Sequence, residues 1–256
     1  FVSLLSCSRG TIKESIDMEK PIVIFDTDMG NDVDDALALD MLYKYLDKDR
    51  IELLGIATTK KSPYCVEYID IMNTWYGYPD IPIGVVENGT NIDNQDNFVR
   101  IVCQMEADGR PAFERTLKSY NDLPKSVALY RQLLSAQEDN SVDIISVGFS
   151  TNLAQLLDSS PDQYSPLTGK ELVAQKVRKL SAMMGHFQDE NFSEFNVHCD
   201  IPAAQKVIQE WPTPIVASPF DLGESILYPS TSIENDFKWK EPNPLVEGYK
   251  AYLQMP

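Results

Sequence analysis

The sequence predicts one α/β domain with a mostly parallel central sheet that is flanked by helices. Short apolar runs rich in β-branched residues alternate with longer segments whose apolar residues recur at helical spacing, which is typical of parallel strand–helix–strand units. The composition is that of an ordinary globular chain, with 43% hydrophobic and 24% charged residues over 256 positions. A chain of this length can bury a sizeable core without disulfides or structural metals.

The first half of the chain opens with a clear strand–helix pair. Residues 20–27 form a short apolar, β-branched run that suits a strand buried on both faces. Residues 34–46 follow with apolar side chains at helical spacing and with carboxylates at their start, where the helix dipole favours negative charge. The same reasoning predicts strands at 51–58 and 83–86 and helices at 64–75 and 97–105.

The second half continues the alternation after a polar stretch that contains Gly109 and Pro111. Residues 142–147 are the most convincing strand there, because the run is short, apolar and β-branched. No repeat, low-complexity run or linker divides the chain, so we predict one Rossmann-like domain over residues 20–256 and a tail over residues 1–19. The remaining predicted strands are 181–184 and 214–217, and the predicted helices are 126–137, 151–157, 171–180, 203–211 and 244–253.

The N-terminal residues read FVSLLSC, and this segment resembles the end of a bacterial lipoprotein signal. We therefore interpret residues 1–19 as a signal remnant, with a lipid anchor at Cys7 as the single membrane contact and a periplasmic or cell-envelope location rather than a cytoplasmic one. The alternative is an unstructured tail with a chance cysteine. No other apolar run approaches the roughly 18 residues that span a bilayer. Cys65, Cys103 and Cys199 are odd in number and form no CxxC pair, so they fit neither a disulfide framework nor a zinc site.

The charge balance argues against a nucleic-acid partner. Lysine and arginine number 22 and the acidic residues 39, which gives a formal net charge of −17. A surface of this sign repels phosphate backbones.

Five aspartates fall within the ten residues 26–35, where a predicted buried strand ends and a helix begins. In open α/β sheets this edge is where ligands bind. Side chains alternate along a strand, so Asp26 and Asp28 are expected to share a face. Packed like charges repel unless a cation neutralises them, and hard oxygen ligands in this number suit calcium or magnesium better than zinc.

Three other interpretations of this segment are weaker. A solvated helix N-terminus explains Asp34 and Asp35 but not the acids at the end of an apolar strand. A calcium loop of the EF-hand type needs glycine and glutamate where Asn31 and Leu37 stand. A phosphatase of the haloacid dehalogenase type expects threonine or valine at the position of Gly30.

The segment DTDMGNDVDDALAL resembles the N-terminal signature of the nucleoside hydrolases, DTDPGxDDAxA, with Met29 in place of the proline and two extra residues before Asp-Asp-Ala. The resemblance covers roughly residues 20–228. Further segments agree in order and kind: ISVGFSTNLA at 145–154, MMG at 183–185 followed by Asn191, EFN at 194–196, and DIPAA at 200–204.

The resemblance implies a calcium ion at the base of the pocket, bound by protein carboxylates and by the ribose hydroxyls. Asp28 aligns with the residue that binds calcium and accepts a proton from the attacking water, and Asp35 with the second metal carboxylate. Val147 aligns with a residue whose backbone carbonyl binds the metal. The residues that align with ribose contacts are Asp34, Asn191, Glu194 and Asn196.

The implied activity is hydrolysis of the N-glycosidic bond of ribonucleosides to base and ribose, as in purine and pyrimidine salvage, by a homo-oligomer of the kind that members commonly form. Such a bond breaks through a sugar with oxocarbenium character, which nearby carboxylates stabilise. Two alternatives stay open: a calcium-dependent ribose or nucleoside binder without hydrolytic activity, and a hydrolase of another N-ribosyl compound.

The sequence also departs from the family pattern. Well-known members carry a further metal-binding aspartate near the C-terminus, and nothing in 221–256 matches it, so we expect residues 20–256 to lack the end of the domain. Residues 60–62 read Lys-Lys-Ser where the family often has an asparagine, which leaves base preference open. His186 replaces a usual glycine and is expected near the pocket, as a substrate contact or a surface residue. His198 is expected to alternate with Asn196 on a strand.

Overall fold

A parallel six-stranded sheet organises the fold. The computed structural model describes residues 20–90 and 97–253. Within them, one sheet and one small hairpin are formed. In chain order the strands are β1 (Ile22–Thr27), β2 (Glu52–Thr58), β3 (Ile83–Gly84), β4 (Glu106–Ala107), β5 (Arg110–Pro111), β6 (Val142–Ser146), β7 (Val177–Met183) and β8 (Ile215–Ser218). The sheet has the order β3-β2-β1-β6-β7-β8 with every neighbouring pair parallel, which confirms the predicted α/β class.

Helices cover the sheet on both faces. They are α1 (Asp34–Asp47), α2 (Pro63–Tyr76), α3 (Asn97–Cys103), α4 (Ser126–Ser135), α5 (Thr151–Asp158), α6 (Gly169–Lys176), α7 (Phe195–Cys199), α8 (Ile201–Glu210), α9 (Phe220–Gly223), α10 (Ser230–Asn235) and α11 (Pro244–Leu253). Val23 and Phe25 pack in one apolar core with α1, α2, α3 and α11, whereas Ile24 packs in a second core with α4, α5, α6 and α8. The alternation of β1 side chains between two cores explains its continuous apolar run.

The strand order reverses at β1. The chain builds outward from β1 through β2 to β3, and then returns to place β6 on the other side of β1. Successive connections therefore leave the sheet in opposite directions from the C-terminal ends of β1 and β6, and the crevice between them is the usual ligand site of such sheets. Asp26 is in register with Ser146 across this junction, so the loop after β1 lies next to the loop after β6.

One predicted boundary is wrong. Residues 171–180 were expected to form a single helix, but α6 ends at Lys176 and β7 begins at Val177. Val177 pairs with Val142 in the sheet, a long-range contact that outweighs the local helical spacing. The helix also begins earlier, at Gly169, because Thr168 and Glu171 form a reciprocal capping box at its N-terminus.

Several short elements had no clear sequence signal. The polar stretch around Gly109 contains the β4–β5 hairpin, and its turn residues Asp108 and Gly109 both have positive φ, as the tight turn between two antiparallel strands requires. Helices α7, α9 and α10 were also not predicted. The third strand is shorter than expected and ends at Gly84.

Residues 1–19 lie outside the described part, and so does the predicted anchor at Cys7; the division into a tail and a domain stays a prediction. In the described ranges, no helix combines the length and the apolar character that a membrane span requires.

Candidate active site

The loop of residues 28–35, which we call the acid loop, connects β1 to α1 at the strand-order reversal. Asp28 and Asp35 are both buried there. The Asn31 amide donates to Asp28 Oδ2, and the Thr27 hydroxyl donates to Asp35 Oδ2. Thr27 Oγ1 also accepts from the Met29 backbone N–H at 3.0 Å. These bonds fix the loop to the end of β1 and to the first turn of α1, so both buried carboxylates have defined positions.

Carboxylates crowd this loop. Oxygens of Asp32, Asp34 and Asp35 all lie within 4.8 Å of one another, and the negative charge of Asp28 raises the pKa of Asp35. The structure therefore brings the predicted metal carboxylate Asp35 and the predicted ribose contact Asp34 together, and Asp28, the other predicted metal carboxylate, acts on Asp35 through its charge. It adds Asp32, which was not among the predicted ligands. Asp32 is one of the two extra residues that this loop has relative to the family signature. An extra acid at that point was the signal from which a further oxygen donor could have been predicted.

The crowding changes the acid–base properties of the loop. Burial raises the pKa of Asp28 to about 6, against the lowering effect of its bond from Asn31. Burial of the carboxyl, together with the charges of Asp34 and Asp28, raises the pKa of Asp32 to about 8, although the residue as a whole is exposed. Burial and the charges of its acidic neighbours hold the pKa of Asp35 well above its usual range. A divalent cation would remove this repulsion, and the all-oxygen donor set fits a hard cation such as calcium.

Asp26 has a different environment. It is fully buried, and its carboxylate accepts bonds from Tyr130 at 2.9 Å, Asn152 at 2.9 Å and Ser146 at 3.2 Å. Burial raises the pKa of Asp26 to about 7 despite these donors. The expectation that Asp26 and Asp28 share a face assumed a continuous strand, but β1 ends at Thr27 and the two carboxylates have separate partners. Asp26 thus anchors α4, α5 and β6 beneath the site.

Lys60, which the sequence indicates only as part of a departure from the family's asparagine, is a buried residue of the site. Lys60 follows β2 directly after Thr59, is 1% exposed, and places Nζ 2.6 Å from Asn31 Oδ1. Its charge lowers the pKa of Asp28 against the larger effect of burial. A lysine immediately after the end of a buried strand was the signal that could have identified it.

The loop after β6 approaches the acid loop closely at Gly148. A Cβ at this position would stand 2.4 Å from Asp28 N and 2.8 Å from Thr27 C, so only glycine allows the approach. The preceding carbonyl, that of Val147, accepts a bond from Asn196 Nδ2 at 2.9 Å. A carbonyl oxygen has two lone pairs, so Val147 keeps acceptor capacity for a metal.

Glu194 and Asn196 lie at the start of α7. The Glu194 carboxylate caps this helix, accepting from the backbone N–H groups of Asn196 at 2.8 Å, Val197 at 3.0 Å and Gly185 at 3.0 Å. Both residues are buried, and Asn196 reaches across to β6 through the Val147 carbonyl. The expectation of a strand carrying Asn196 and His198 is wrong, because the Glu194 cap starts a helix here; His198 is exposed and pairs with Ser193.

The remaining predicted residues lie on the outer loop between β7 and α7. Asn191 is exposed, and its backbone N–H donates to Asp189. His186 accepts from the Asp189 N–H at 3.0 Å, and its ring lies 4.5 Å from Phe192 and 6.1 Å from Phe220. His186 therefore belongs to a stack of aromatic rings at the rim of the sheet edge.

The fold agrees with the comparisons to known proteins. The sequence model of the inosine-uridine preferring nucleoside hydrolase family matches residues 23–254. Among solved structures, the plant nucleoside hydrolase PpNRh1 aligns with a TM-score of 0.66 and 19% identity, over 92% of this chain and 71% of that one. The effector protein XOO4466 aligns with a TM-score of 0.69 and 14% identity, over 91% of this chain and 65% of that one.

The type III effector protein XopQ, complexed with adenosine diphosphate ribose, also aligns with a TM-score of 0.69 and 14% identity, over 91% of this chain and 65% of that one. No curated protein matches the chain. At identities this low, the structural matches establish the fold alone. This chain spans less than two thirds of the length of either effector. Since the family's sequence model extends over most of the chain, the protein belongs to the inosine-uridine preferring nucleoside hydrolase family.

Proposed function

We propose that this protein is a calcium-dependent N-ribohydrolase that splits ribonucleosides into base and ribose. The observation that carries the proposal is the pair of buried, mutually repelling carboxylates Asp28 and Asp35, at the point where the strand order reverses and next to the loop of Val147. Acids buried in this way are costly without a cation, and family members are metal-dependent hydrolases.

The residues that would hold the metal are Asp28, Asp35 and the Val147 carbonyl, and Asp32 is an additional oxygen donor close to Asp35. Calcium is the expected ion because the donors are all hard oxygens and the acid loop supplies several charges. When bound, the ion would supply positive charge against the oxygens of the sugar and of water.

The protein residues carry the other steps. Asp28 accepts a proton from the attacking water, whose oxygen forms a bond to C1′ of the ribose. The C1′–N bond breaks, and the base leaves with the bonding electrons and takes up a proton. Asp34, Glu194 and Asn196 hold the ribose, and the carboxylates among them stabilise the positive sugar. The three backbone donors on Glu194 fix its carboxylate in advance, which reduces the cost of ordering it.

The test is release of reducing sugar from a panel of ribonucleosides and nicotinamide riboside, with calcium and with a chelator. We expect calcium-dependent release by the full-length protein and little release by Asp28→Asn. Asp108→Asn is the matched control, since Asp108 lies in an exposed turn with a positive φ that asparagine tolerates. Release that is unaffected by the chelator would contradict the metal requirement.

A second candidate is a calcium-dependent binder of ribosyl compounds without hydrolysis. One observation favours it: XopQ has been solved with adenosine diphosphate ribose. Calorimetric binding of adenosine diphosphate ribose or of a nucleoside, with no sugar released from any member of the panel, would select this candidate. Release from nicotinamide riboside alone would instead indicate a hydrolase of another N-ribosyl compound.

A further inference from the structure

The Lys60 ammonium is built into the acid loop. Lys60 follows β2, whose last residue Thr58 is in register with Thr27 at the end of β1. The Lys60 ammonium donates to Asn31 Oδ1 at 2.6 Å, and the Asn31 amide donates to Asp28 Oδ2, so the lysine is connected to Asp28 through one side chain. With 1% of its surface exposed, Lys60 has little room to move its charge into water.

A buried ammonium needs nearby negative charge, because transfer of an isolated charge from water is expensive. Asp28 supplies such charge, since the Lys60 ammonium lowers the pKa of that carboxyl. Asp28 is also a candidate donor for the metal, so the ammonium and the metal are stabilised by the same carboxylate. Two cations close to each other also repel, and the repulsion is screened weakly in a buried site.

We propose that Lys60 is a resident counter-cation that sets the divalent-metal affinity of the acid loop. Its ammonium stabilises the carboxylates while the metal is absent, and it opposes the metal when the metal binds. The proposal rests on the proposed function only in requiring that the acid loop binds calcium. Under this proposal Lys60 is a positioning residue whose charge lowers the calcium affinity of the acid loop. Loss of this positive charge should therefore strengthen metal binding.

The experiment is calcium titration by calorimetry at one fixed pH, with wild type, Lys60→Met, Lys60→Gln and Lys61→Met. Glutamine keeps a donor for Asn31 but removes the charge, whereas methionine removes both. Lys61 is the exposed neighbour, so its variant controls for the overall charge change. We expect both Lys60 variants to bind calcium about tenfold more tightly or better, equivalent to about 1.4 kcal/mol, and Lys61→Met to bind like wild type.

Melting temperatures give a second readout. In chelator both Lys60 variants should melt below wild type, because the carboxylates have lost their cation, and added calcium should narrow or reverse that difference. Unchanged or weaker calcium binding in Lys60→Gln would overturn the proposal and leave the proposed function intact. Weakening in Lys60→Met with a wild-type affinity in Lys60→Gln would overturn it too, since the lysine would then only position Asn31. Absence of calcium binding in all four proteins would overturn the metal-dependent function and this proposal with it.

Discussion

The acid loop and the segment of residues 185–196 both contribute buried carboxylates to the same sheet edge, but they stabilise them differently. In the acid loop, burial raises the pKa values of Asp28 and Asp35, and the charges of neighbouring acids raise that of Asp35 further. In the later segment, the Glu194 carboxylate accepts three backbone N–H bonds. The acid loop therefore needs a cation to be stable in its charged form, whereas Glu194 is stabilised by the chain itself.

The largest expected effect is on metal binding. Asp35→Ala removes a buried carboxylate whose oxygens lie within 4.8 Å of those of Asp32 and Asp34 and whose pKa the charge of Asp28 raises. We expect calcium binding to be abolished in calorimetry rather than merely weakened. Asp47→Ala, at the exposed far end of α1, should bind like wild type. A wild-type calcium affinity in Asp35→Ala would show that the acid loop is not the metal site.

Asp28→Asn tests the acid loop at the level of the reaction. Asparagine keeps the size and one oxygen but cannot accept the water proton, and loss of a positioned base typically costs roughly 10²–10⁴ in rate. We expect kcat to fall in that range while a ribose analogue still binds, because the ribose contacts remain. Turnover close to wild type would assign the base role to another acid, such as Asp32.

The pH dependence of stability tests the buried acids Asp28 and Asp26 without a substitution. Asp28, with a pKa of about 6, and Asp26, with a pKa of about 7, hold protons in the folded state that the unfolded chain releases near its ordinary value of 3.8. The metal-free protein should therefore lose free energy of unfolding as the pH rises from about 4 through about 7. Denaturant unfolding in chelator checks this, and calcium should reduce the loss. A metal-free stability that rises over this range would contradict the raised pKa values.

Substitution in the later segment should have the smallest effect. Glu194→Gln leaves one oxygen acceptor and weakens a ribose contact that tightens as charge develops, so kcat and kcat/KM should both fall, by less than in Asp28→Asn. Asn191→Ala should change them less again, because Asn191 is exposed on the outer loop. Steady-state kinetics with added calcium measure both. A larger loss in Asn191→Ala than in Glu194→Gln would mean that the outer loop closes over the substrate.

The sequence predicted the parts of this molecule that depend on local patterns. The apolar run of β1, the amphipathic spacing of α1 and the acids between them all contain their own signal, and they place Asp28 and Asp35 correctly at the sheet edge. The start of β7 could not be predicted in the same way, because Val177 is drawn into the sheet by Val142, which lies far away in the chain.

The candidate site shows the same division. The position of Lys60 after β2 is a local signal, but its contact with Asn31 depends on the packing of β2 against β1. The helix that carries Asn196 and His198 begins where the Glu194 side chain caps it. The sequence analysis predicts Glu194 only as a ribose contact, so it predicts a strand here instead of a capped helix. Local motifs thus indicated candidate residues for the site, and tertiary contacts determined which further side chains lie beside them.

The reversal of strand order also governs when the site can form during folding. The bond between Ser146 and Asp26 joins residues 120 positions apart, and that between Asn196 and Val147 joins residues 49 positions apart. Contacts of such high sequence separation form slowly, because the loop-closure entropy must be lost before they become favourable. The local hydrogen bonds of the acid loop can form early in folding, because they join residues close in the chain. The Val147 carbonyl takes its place beside the loop only when β6 pairs with β1. We therefore expect high-affinity metal capture to report completion of the sheet, as a late event in the folding of this protein.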